Sequence, residues 1–404
     1  MTELSKEELL AQIADLSRQL AEVNEEKADL EIMLESITEH STDLENQIRQ
    51  NNKQLQSYIQ QVEKLTDAAV AVENNSFEPE NLAQVTARED ELGNLAKVFT
   101  QMVQTIKTRE QELEELLKAF GRFVPHEFLK FLQKQSILDI KLGDHVSKEM
   151  AVMFSDIRSF TAFSERMTPQ ETFDFINAYL RYVSPEIRGH NGFVVKFMAD
   201  GMMAVFPDSA DDAIAGGIAF FKKVKAFNQE REERGYSPIE VGMGIHVGHM
   251  MVGVVGEQDR LQGDTLSDTV NLTSRLEGLT KYYGVSMVIS GDVLERLSHR
   301  EQYKVRFIDR TIVKGRSEPI TAYEVLDVET ELMQNLKLQT LPDFAAGFQH
   351  YCNGDLKTAQ ACFNQVLSAN PLDKTAKLYL QRITQLANQG IPENWRGIWV
   401  FTEK

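Results

Sequence analysis

The sequence predicts an α+β protein with a central ferredoxin-like βαββαβ domain, a long helical region before it and a small helical unit after it. The first observation is a heptad repeat of apolar residues that no Gly or Pro interrupts over residues 1–65. The second is the alternation of apolar strands with amphipathic helices over residues 148–328, an order typical of an antiparallel sheet with helices on one face. The third is a pair of short helices joined by an Asn-Gly-Asp turn between residues 342 and 371.

Composition narrows the classes of partner and the location. The 404 residues carry a formal charge of -18, and the first fifty hold 13 acidic against 4 basic side chains. An acidic chain repels nucleic acids and anionic membranes, so neither is expected as a partner. The two cysteines, Cys352 and Cys362, offer no disulfide framework. No apolar run reaches the length that spans a bilayer and the first residues do not resemble a signal peptide, so we expect a cytoplasmic protein without a membrane span.

Residues 1–65 are predicted to form a parallel, two-stranded coiled coil. From Leu9 onward, in alternating steps of four and three residues, fourteen of seventeen positions are apolar or aromatic. A 3.5-residue period held over this length is typical of a coiled coil, whereas a single helix on a globular core is the weaker interpretation. The polar seam residues Lys27, Ser41 and Asn51 are of the kind that fix register and strand number.

A change of pattern over residues 66–108 indicates a helix, an extended connector and a second helix. Asn74, Asn75 and Pro79 are expected to break the first helix. The stretch DELGNLAKVFTQM, in which an apolar stripe restarts, resembles the second helix of a HAMP signalling domain. The resemblance implies a four-helix bundle in a dimer, although the sequence lacks the proline of the first HAMP helix and a membrane helix before it. Residues 109–147 would continue the helical stripe as a signalling helix and coupling linker.

The central domain is predicted from the order of its elements along residues 148–328. Strands are expected at EMAVMFSDI, at FVVKFMA and MMAVF around an Asp200-Gly201 turn, at IEVGMGIHVGHMMVGVVG, and later at SMVIS, YKVRFIDRTIV and TAYEVLD. Helices are expected at TPQETFDFINAYLRYVSPEI, where Thr168 and Pro169 favour a helix start, at SADDAIAGGIAFFKKVKAFNQERE and at SDTVNLTSRLEGLTKYYG.

Two acidic residues that end apolar strands are the candidate metal ligands. Asp156 ends the strand EMAVMFSDI, and Asp200, 44 positions later, lies at the tip of the hairpin. Carboxylates suit Mg²⁺, and two such ions would stabilise both the attacking and the leaving oxygen of a displacement at phosphorus. The loop from Ile157 to Thr161, which includes Phe160, offers backbone N–H groups to phosphates. Each acid alone is also common as a turn or cap residue, but here both follow strongly apolar strands.

Four stretches, FSDIRSFT, KFMADGMMAVF, SDTVNLTSRLEGL and VKGRSEPITAYEV, resemble the motifs of the class III nucleotidyl cyclase catalytic domain and occur in that family's order. The resemblance implies that Asp156 and Asp200, assisted by the carbonyl of Ile157, bind two Mg²⁺ per site, for which Mn²⁺ can substitute. It also implies that Asn271 and Arg275, four residues apart on one helix, position the ribose and stabilise the pentacovalent transition state.

The same resemblance implies that Lys196 and Asp264 recognise the base and that Lys314 contacts the phosphates. Adenine offers an amino donor, which a carboxylate accepts, and a ring nitrogen, to which a lysine donates. Guanine reverses both, and guanine sites of the family usually carry Glu and Cys or Ser at these positions. The pair therefore favours ATP as the substrate. Asp268, which heads the predicted helix, is interpreted as its cap.

In this family the site lies between two catalytic domains, so the resemblance implies a homodimer with two equivalent sites. The base- and ribose-binding residues would come from one chain and the metal ligands from the other, and the coiled coil would supply the dimer. The expected activity is conversion of ATP to 3′,5′-cyclic AMP and diphosphate, regulated through the N-terminal region. The alternatives are a guanylate cyclase and a catalytically inactive dimeric scaffold. The activating stimulus, whether a small molecule or a regulatory protein acting through either end of the chain, stays open.

Residues 340–390 are predicted to form a helical unit that resembles a single tetratricopeptide repeat. The likeness is carried by PDFAAGFQHYCNGDLKTAQACFNQVLSANP, with AKLYLQRITQLANQ as a capping helix. One repeat is too small to be stable alone, so we expect it to pack on another part of the chain. For residues 391–404, which contain PENWRGIWVFTEK, the sequence indicates no role.

Overall fold

The computed structural model describes residues 6–121, 126–257, 260–314 and 316–401, in two compact units that divide between Ala119 and Phe120. The first unit is helical, and the second contains a sheet with helices. Among the helices of these ranges, none combines the length and the apolar character needed to cross a bilayer. Parts of the predicted linker, the first residues of the predicted coiled coil and the last three of the C-terminal segment lie outside the described residues.

The first unit consists of two long helices and the connector between them. Helix α1 spans Lys6–Glu73, α2 spans Ala83–Thr86 and α3 spans Glu91–Phe120. As expected, the first helix ends before Asn75, whose φ of 59° lies in the left-handed region. Connector side chains are buried between the two long helices in a cluster of Ala68, Phe77, Leu82, Val85, Leu92, Ala96 and Val103. The helix–connector–helix pattern is therefore present, while the assignment to the HAMP class stays a prediction.

The apolar seam of α1 is exposed in the single chain. The side chains of Leu16, Leu34 and Leu55 are 63%, 69% and 60% exposed. A continuous line of large exposed apolar side chains marks an interaction surface. The coiled coil stays a prediction, and this seam is the surface that it would bury.

Within the described ranges, the second unit is built on a nine-stranded sheet. The strands are β1 (His145–Ile157), β2 (Phe193–Met198), β3 (Gly201–Phe206), β4 (Val241–Glu257), β5 (Arg260–Leu266), β6 (Met287–Ser290), β7 (Val305–Ile312), β8 (Ile320–Val325) and β9 (Trp399–Val400). Their order is β2-β3-β1-β4-β6-β8-β7-β9, and β5 pairs with β4. The β4–β6 and β7–β9 pairs are parallel, so the sheet is mixed and not purely antiparallel as expected. β5 and β9 are strands that the sequence did not indicate.

Ten helices accompany the sheet in the described part of the second unit. They are α4 (His126–Phe131), α5 (Phe160–Ser164), α6 (Pro169–Gly189), α7 (Ala210–Glu233), α8 (Asp268–Tyr283), α9 (Gly291–Glu295), α10 (Glu331–Gln339), α11 (Leu341–Cys352), α12 (Leu356–Ala369) and α13 (Lys374–Gln389). α6 begins where predicted, with the Thr168 side chain accepting a hydrogen bond from the Glu171 N–H in a capping box.

Helices cover both faces of the sheet, which corrects the expectation of helices on one face. In β1, Met153 faces the cluster formed with α6 and α7, whereas Phe154 faces a second cluster that includes α4. α8 packs on this second face, where Gly244 of β4 lets the helix approach closely. A Cβ at residue 244 would lie 2.8 Å from the carbonyl oxygen of Thr273, so only glycine fits without displacing the helix.

The C-terminal helices pack on the sheet. α11, α12 and α13 share a buried core that includes Phe344, Phe363 and Val366. The hydroxyl of Tyr379 in α13 donates a hydrogen bond of 2.8 Å to the carbonyl oxygen of Ile308 in β7. The expectation that this unit packs on another part of the chain is therefore confirmed, while its likeness to a tetratricopeptide repeat stays a prediction.

Candidate active site

Asp156 and Asp200 lie side by side at one end of the sheet. Asp156 is close to the end of β1, directly opposite Gly242 of β4 in the ladder. Asp200 lies in the turn between β2 and β3, and β3 is the other neighbour of β1. The two carboxyl groups lie close enough to shift each other's pKa, and the N–H of Ile157 lowers the pKa of both. Two acids that are 44 positions apart in the sequence therefore form one group.

The hairpin turn lies one residue earlier than predicted. Met198 of β2 pairs with Gly201 of β3, so the turn residues are Ala199 and Asp200. Ala199 has a φ of 53°, a left-handed conformation that alanine rarely adopts. Gly201 is the first residue of β3, and a Cβ there would lie 3.0 Å from Oδ1 of Asp156. The glycine therefore leaves the space that the Asp156 carboxylate occupies.

Burial and like charge dominate the electrostatics of this group. Burial, followed by the charges of Asp200 and Glu277, raises the pKa of Asp156 to about 7, and burial also raises the pKa of Asp200. The hydroxyl of Tyr179 in α6 is buried and has no hydrogen-bond partner among the residues that the structure describes. Burial and the two aspartate charges raise the pKa of Tyr179 as well. Two adjacent buried carboxylates resist ionising at the same time, so a bound cation that neutralises their charge would be favourable here.

The two carboxylates suit a divalent cation that takes its other oxygen ligands from outside the protein. Within the described residues, no group of three or more His, Cys, Asp or Glu side chains could hold a metal ion. Mg²⁺ typically uses one or two carboxylates and completes its shell with phosphate oxygens and water. Asp156 and Asp200 provide the two carboxylates that such a site takes from the protein.

Lys196 and Asp264 form a second group. Nζ of Lys196 in β2 lies 3.9 Å from Oδ2 of Asp264 in β5, and both side chains are partly exposed. That distance exceeds a direct hydrogen bond, so the ammonium and the carboxylate keep capacity for a ligand. The two residues meet because β5 folds back along β4. Lys196 therefore pairs with Asp264 and not with Asp200, its neighbour in the KFMADG motif.

Asn271 and Arg275 lie one turn apart on α8, the former exposed and the latter half-buried. The predicted cap of this helix is wrong. The Ser267 side chain accepts the hydrogen bond from the Thr269 N–H, at 3.0 Å. Asp268 instead lies 3.3 Å from a guanidinium nitrogen of Arg316. In the part of the chain that the structure describes, no ion pair joins Arg275 to the two aspartates.

The remaining predicted residues lie after β7 and on the short helix α5. Lys314 is exposed just after β7. Phe160 opens α5, and its ring stacks on that of Phe175 at a centroid distance of 6.0 Å. The ring therefore belongs to the core, and only the backbone of Phe160 is available for a phosphate. Thr161 is exposed on the same short helix.

Three residues near the aspartates were not predicted. The Glu277 carboxylate lies over Gly242, across the ladder from Asp156, and burial raises its pKa. Arg158 donates to the Thr280 carbonyl at 3.1 Å, which ties the loop after β1 to α8. Arg158 lies inside the motif FSDIRSFT and Glu277 inside the motif SDTVNLTSRLEGL, and these places in the motifs are the sequence signal that could have identified them. Tyr179 offered no signal because it occupies an ordinary core position of an amphipathic helix.

The central part of the chain is similar to known proteins. Residues 144–326 match the family described as the adenylate and guanylate cyclase catalytic domain. An adenylate cyclase of Anabaena cylindrica is 37% identical over 249 residues, which cover 60% of this chain and 50% of that protein. A terminal-differentiation-specific adenylate cyclase of Dictyostelium discoideum is 33% identical over 283 residues, which cover 69% of this chain and 13% of that protein. The chain thus spans half or less of the length of these relatives.

The fold also matches a solved structure. A bacterial light-regulated adenylyl cyclase superposes with a TM-score of 0.50 at 23% identity, over 59% of this chain and 70% of that one. At this identity the likeness concerns the fold alone.

Proposed function

We propose that this chain is an adenylate cyclase that converts ATP to 3′,5′-cyclic AMP and diphosphate, because residues 144–326 match the adenylate and guanylate cyclase catalytic domain. The observation that carries the proposal is the convergence of Asp156 and Asp200 on one group with raised pKa values. The nearby pair of Lys196 and Asp264 supports the choice of base. A cytoplasmic location is part of the proposal, and the free thiols of Cys352 and Cys362 agree with it.

In the proposed reaction the ribose 3′-oxygen bonds to the α-phosphorus and the bond from that phosphorus to the bridging oxygen of the β-phosphate breaks. Diphosphate leaves, and the 3′-hydroxyl proton is lost to solvent. Asp156 and Asp200 would hold two Mg²⁺, or Mn²⁺, with the Ile157 carbonyl, and the metal neutralises phosphate charge when bound. Asn271 would orient the ribose, and Arg275 would stabilise the negative charge that builds up on the phosphoryl oxygens.

The proposed choice of ATP rests on hydrogen-bond signs. The Asp264 carboxylate accepts from the adenine amino group, and the Lys196 ammonium donates to the adjacent ring nitrogen. Guanine would place an acceptor opposite the carboxylate and a donor opposite the ammonium. A site that leaves buried polar groups unpaired with the wrong base discriminates strongly.

We also propose that the active unit is a homodimer. In one chain, Arg275 makes no ion pair with the aspartates among the described residues, and the α1 seam is exposed. Apolar side chains near the proposed site are exposed too, with Phe197 at 51% and Leu266 at 57%. A second copy that brings its own α8 to Asp156 and Asp200 would complete the site and cover these surfaces.

The proposal is tested by product formation from purified full-length protein with ATP or GTP and Mg²⁺ or Mn²⁺. Cyclic AMP from ATP is the expected result. The double variant Lys196→Glu with Asp264→Cys is expected to lower ATP turnover and raise GTP turnover, because it reverses the hydrogen-bond signs. If the wild-type chain converts GTP in preference to ATP, the guanylate cyclase alternative holds. If it converts neither, the scaffold alternative holds.

A further inference from the structure

The C-terminal end of α8, the helix that carries Asn271 and Arg275, is held by side chains from outside the matched catalytic domain. Tyr283 is the last residue of α8, and its hydroxyl donates to Oδ2 of Asp309 in β7 at 2.5 Å. Arg382 of α13 donates to the same oxygen at 2.6 Å. All three side chains are at most 2% exposed. A charged residue of the C-terminal helices is therefore buried against the catalytic domain and paired there.

Aromatic rings enclose this ion pair. The guanidinium carbon of Arg382 lies 4.7 Å from the ring centre of Trp399 in β9 and 5.6 Å from that of Tyr283. Phe401 packs edge-on against Tyr282 at 4.5 Å between ring centres. The segment PENWRGIWVF, for which the sequence indicated no role, thus closes over the end of α8. Its strand β9 pairs with β7, and the Trp399 carbonyl accepts from the Thr311 hydroxyl at 2.6 Å.

Two further side chains hydrogen-bond to the backbone at the same end. The hydroxyl of Thr375 donates to the Tyr283 carbonyl at 3.1 Å. From the opposite direction, Arg158 in the loop after β1 donates to the carbonyl oxygens of Thr280 and Val285, at 3.1 and 2.5 Å. The Tyr283 carbonyl has no partner within the helix and accepts from Thr375, while Arg158 joins the last turn of α8 and the residue after its cap to the loop after β1.

We propose that Arg382 is a positioning residue for the cyclase reaction: through Asp309 and Tyr283 it fixes the end of α8 and thereby the location of Arg275. The inference rests on the proposed function. Arg275 lies eight residues before Tyr283, about 12 Å along a rigid helix, so a shift at the end of the helix is carried to the guanidinium. A 1 Å misplacement of a catalytic group can cost about a hundredfold in rate.

Arg382 and Arg158, which both contact the end of α8, come from different parts of the chain, and this determines the expected size of the loss in activity. Arg158 belongs to the catalytic domain and still holds α8 when Arg382 is altered. Loss of the Arg382 contact should therefore loosen the helix and not release it. We expect a partial loss of kcat, with a KM for ATP that changes little because the base pocket of Lys196 and Asp264 is elsewhere.

The test compares three full-length variants with the wild type. Arg382→Lys keeps the charge but loses the planar fork. Tyr283→Phe keeps the ion pair but removes the two hydrogen bonds of the Tyr283 hydroxyl, one donated to Asp309 and one accepted from Arg382. Val366→Ala is the matched control, because Val366 is fully buried in the core of the C-terminal helices and takes no part in the Arg382 contacts. For each, kcat and KM are measured per folded molecule, and amide hydrogen exchange is measured along residues 272–283.

Arg382→Lys and Tyr283→Phe are expected to lower kcat about tenfold, to change KM less than about twofold and to speed exchange in α8. Val366→Ala should do none of these. The proposal is overturned if kcat of Arg382→Lys and Tyr283→Phe matches that of Val366→Ala. If the wild type makes no cyclic nucleotide, the proposed function fails, and unchanged exchange in α8 would separately overturn the positioning role.

Discussion

At the scale of single residues, the carboxyl pair sets the character of the site. Asp156 has a pKa of about 7 because burial and two neighbouring acids oppose its ionisation. A raised folded-state pKa means that the folded protein binds a proton more tightly than the unfolded chain. The stability from this proton is fully present below pH ~4 and is lost as the pH rises to about 7. At neutral pH the pair favours a bound cation over two bare charges.

We therefore expect Asp200→Asn to abolish turnover and yet to raise the melting temperature of the metal-free protein at pH 8. The gain should shrink at pH 5, where Asp156 of the folded wild type already holds a proton. Added Mg²⁺ should raise the melting temperature of the wild type more than that of the variant. Thermal unfolding with EDTA at both pH values, and then with Mg²⁺, checks this.

Glu165→Gln, which alters an exposed carboxylate outside the pair, serves as the control and should leave the melting temperature unchanged at both pH values. An Asp200→Asn variant that is less stable than the wild type at pH 8 would show that the two carboxylates do not repel each other.

Gly201 matters to the carboxyl pair because its lack of a side chain leaves room for the Asp156 carboxylate. Gly201→Ala places a Cβ 3.0 Å from Oδ1 of Asp156, so the carboxylate must move. We expect a loss of about tenfold or more in kcat, since catalysis depends on sub-ångström placement. Gly278→Ala is the matched control: apart from its chain neighbours and the backbone of its own helix, no heavy atom of the described residues lies within 4 Å of the added Cβ, and the helix should gain ~0.5–1 kcal/mol. Steady-state kinetics of both variants test this prediction. Equal kcat values would show that a Cβ at residue 201 does not displace the Asp156 carboxylate.

At the scale of elements, α8 depends on contacts at its two ends and along its side. Gly244 allows it to lie close on β4, and Ser267 begins it. The Ser267 hydroxyl also donates to the His249 carbonyl at 2.7 Å, which joins the helix start to β4. The position of Asn271 and Arg275 is therefore set by how this one helix is seated.

Ser267→Ala is expected to lower the free energy of unfolding by about 1 kcal/mol, the usual cost of a lost helix cap. Asp268→Ala should cost less, because its exposed pairing with Arg316 is worth ~0–1 kcal/mol. Urea denaturation of the full chain compares the two. A larger effect of Asp268→Ala would restore Asp268 as the residue that stabilises the helix start.

At the scale of the whole molecule, the proposed homodimer makes a prediction about mixed chains. Arg275→Ala and Asp200→Ala should each be inactive, and in a mixed dimer one site would carry both lesions and the other neither. With random pairing about half of the dimers are mixed, so activity should recover to about a quarter of the wild type. Co-expression with two affinity tags is the suitable measurement, since a long coiled coil exchanges strands slowly.

Isolated mixed dimers without activity above that of the single variants would rule out a site shared between chains. Cooperation between the two sites would change the recovered fraction but not its presence.

The sequence by itself determined the order of the main elements, without β5 and β9, and predicted the residues of the candidate site. Apolar periods of 3.5 and 2 are local patterns, so the long α1, the helix break before Asn75 and the strands of the central domain could be read directly. The acids of FSDIRSFT and KFMADG were visible because both end apolar strands. The motif resemblance to class III cyclases agrees with the match over residues 144–326.

Only the tertiary structure decided how these parts surround one another. The hairpin turn lies at Ala199 and Asp200, and α8 packs on the second face of the sheet. Tyr179 and Glu277 lie close enough to the two aspartates to interact with their charges. The tertiary structure also gave the C-terminal helices a buried partner, since Arg382 meets Asp309 across 73 positions of sequence. Such contacts join residues whose own neighbourhoods are unremarkable: a local pattern records which side of an element is apolar, but not which distant side chain will be buried against it.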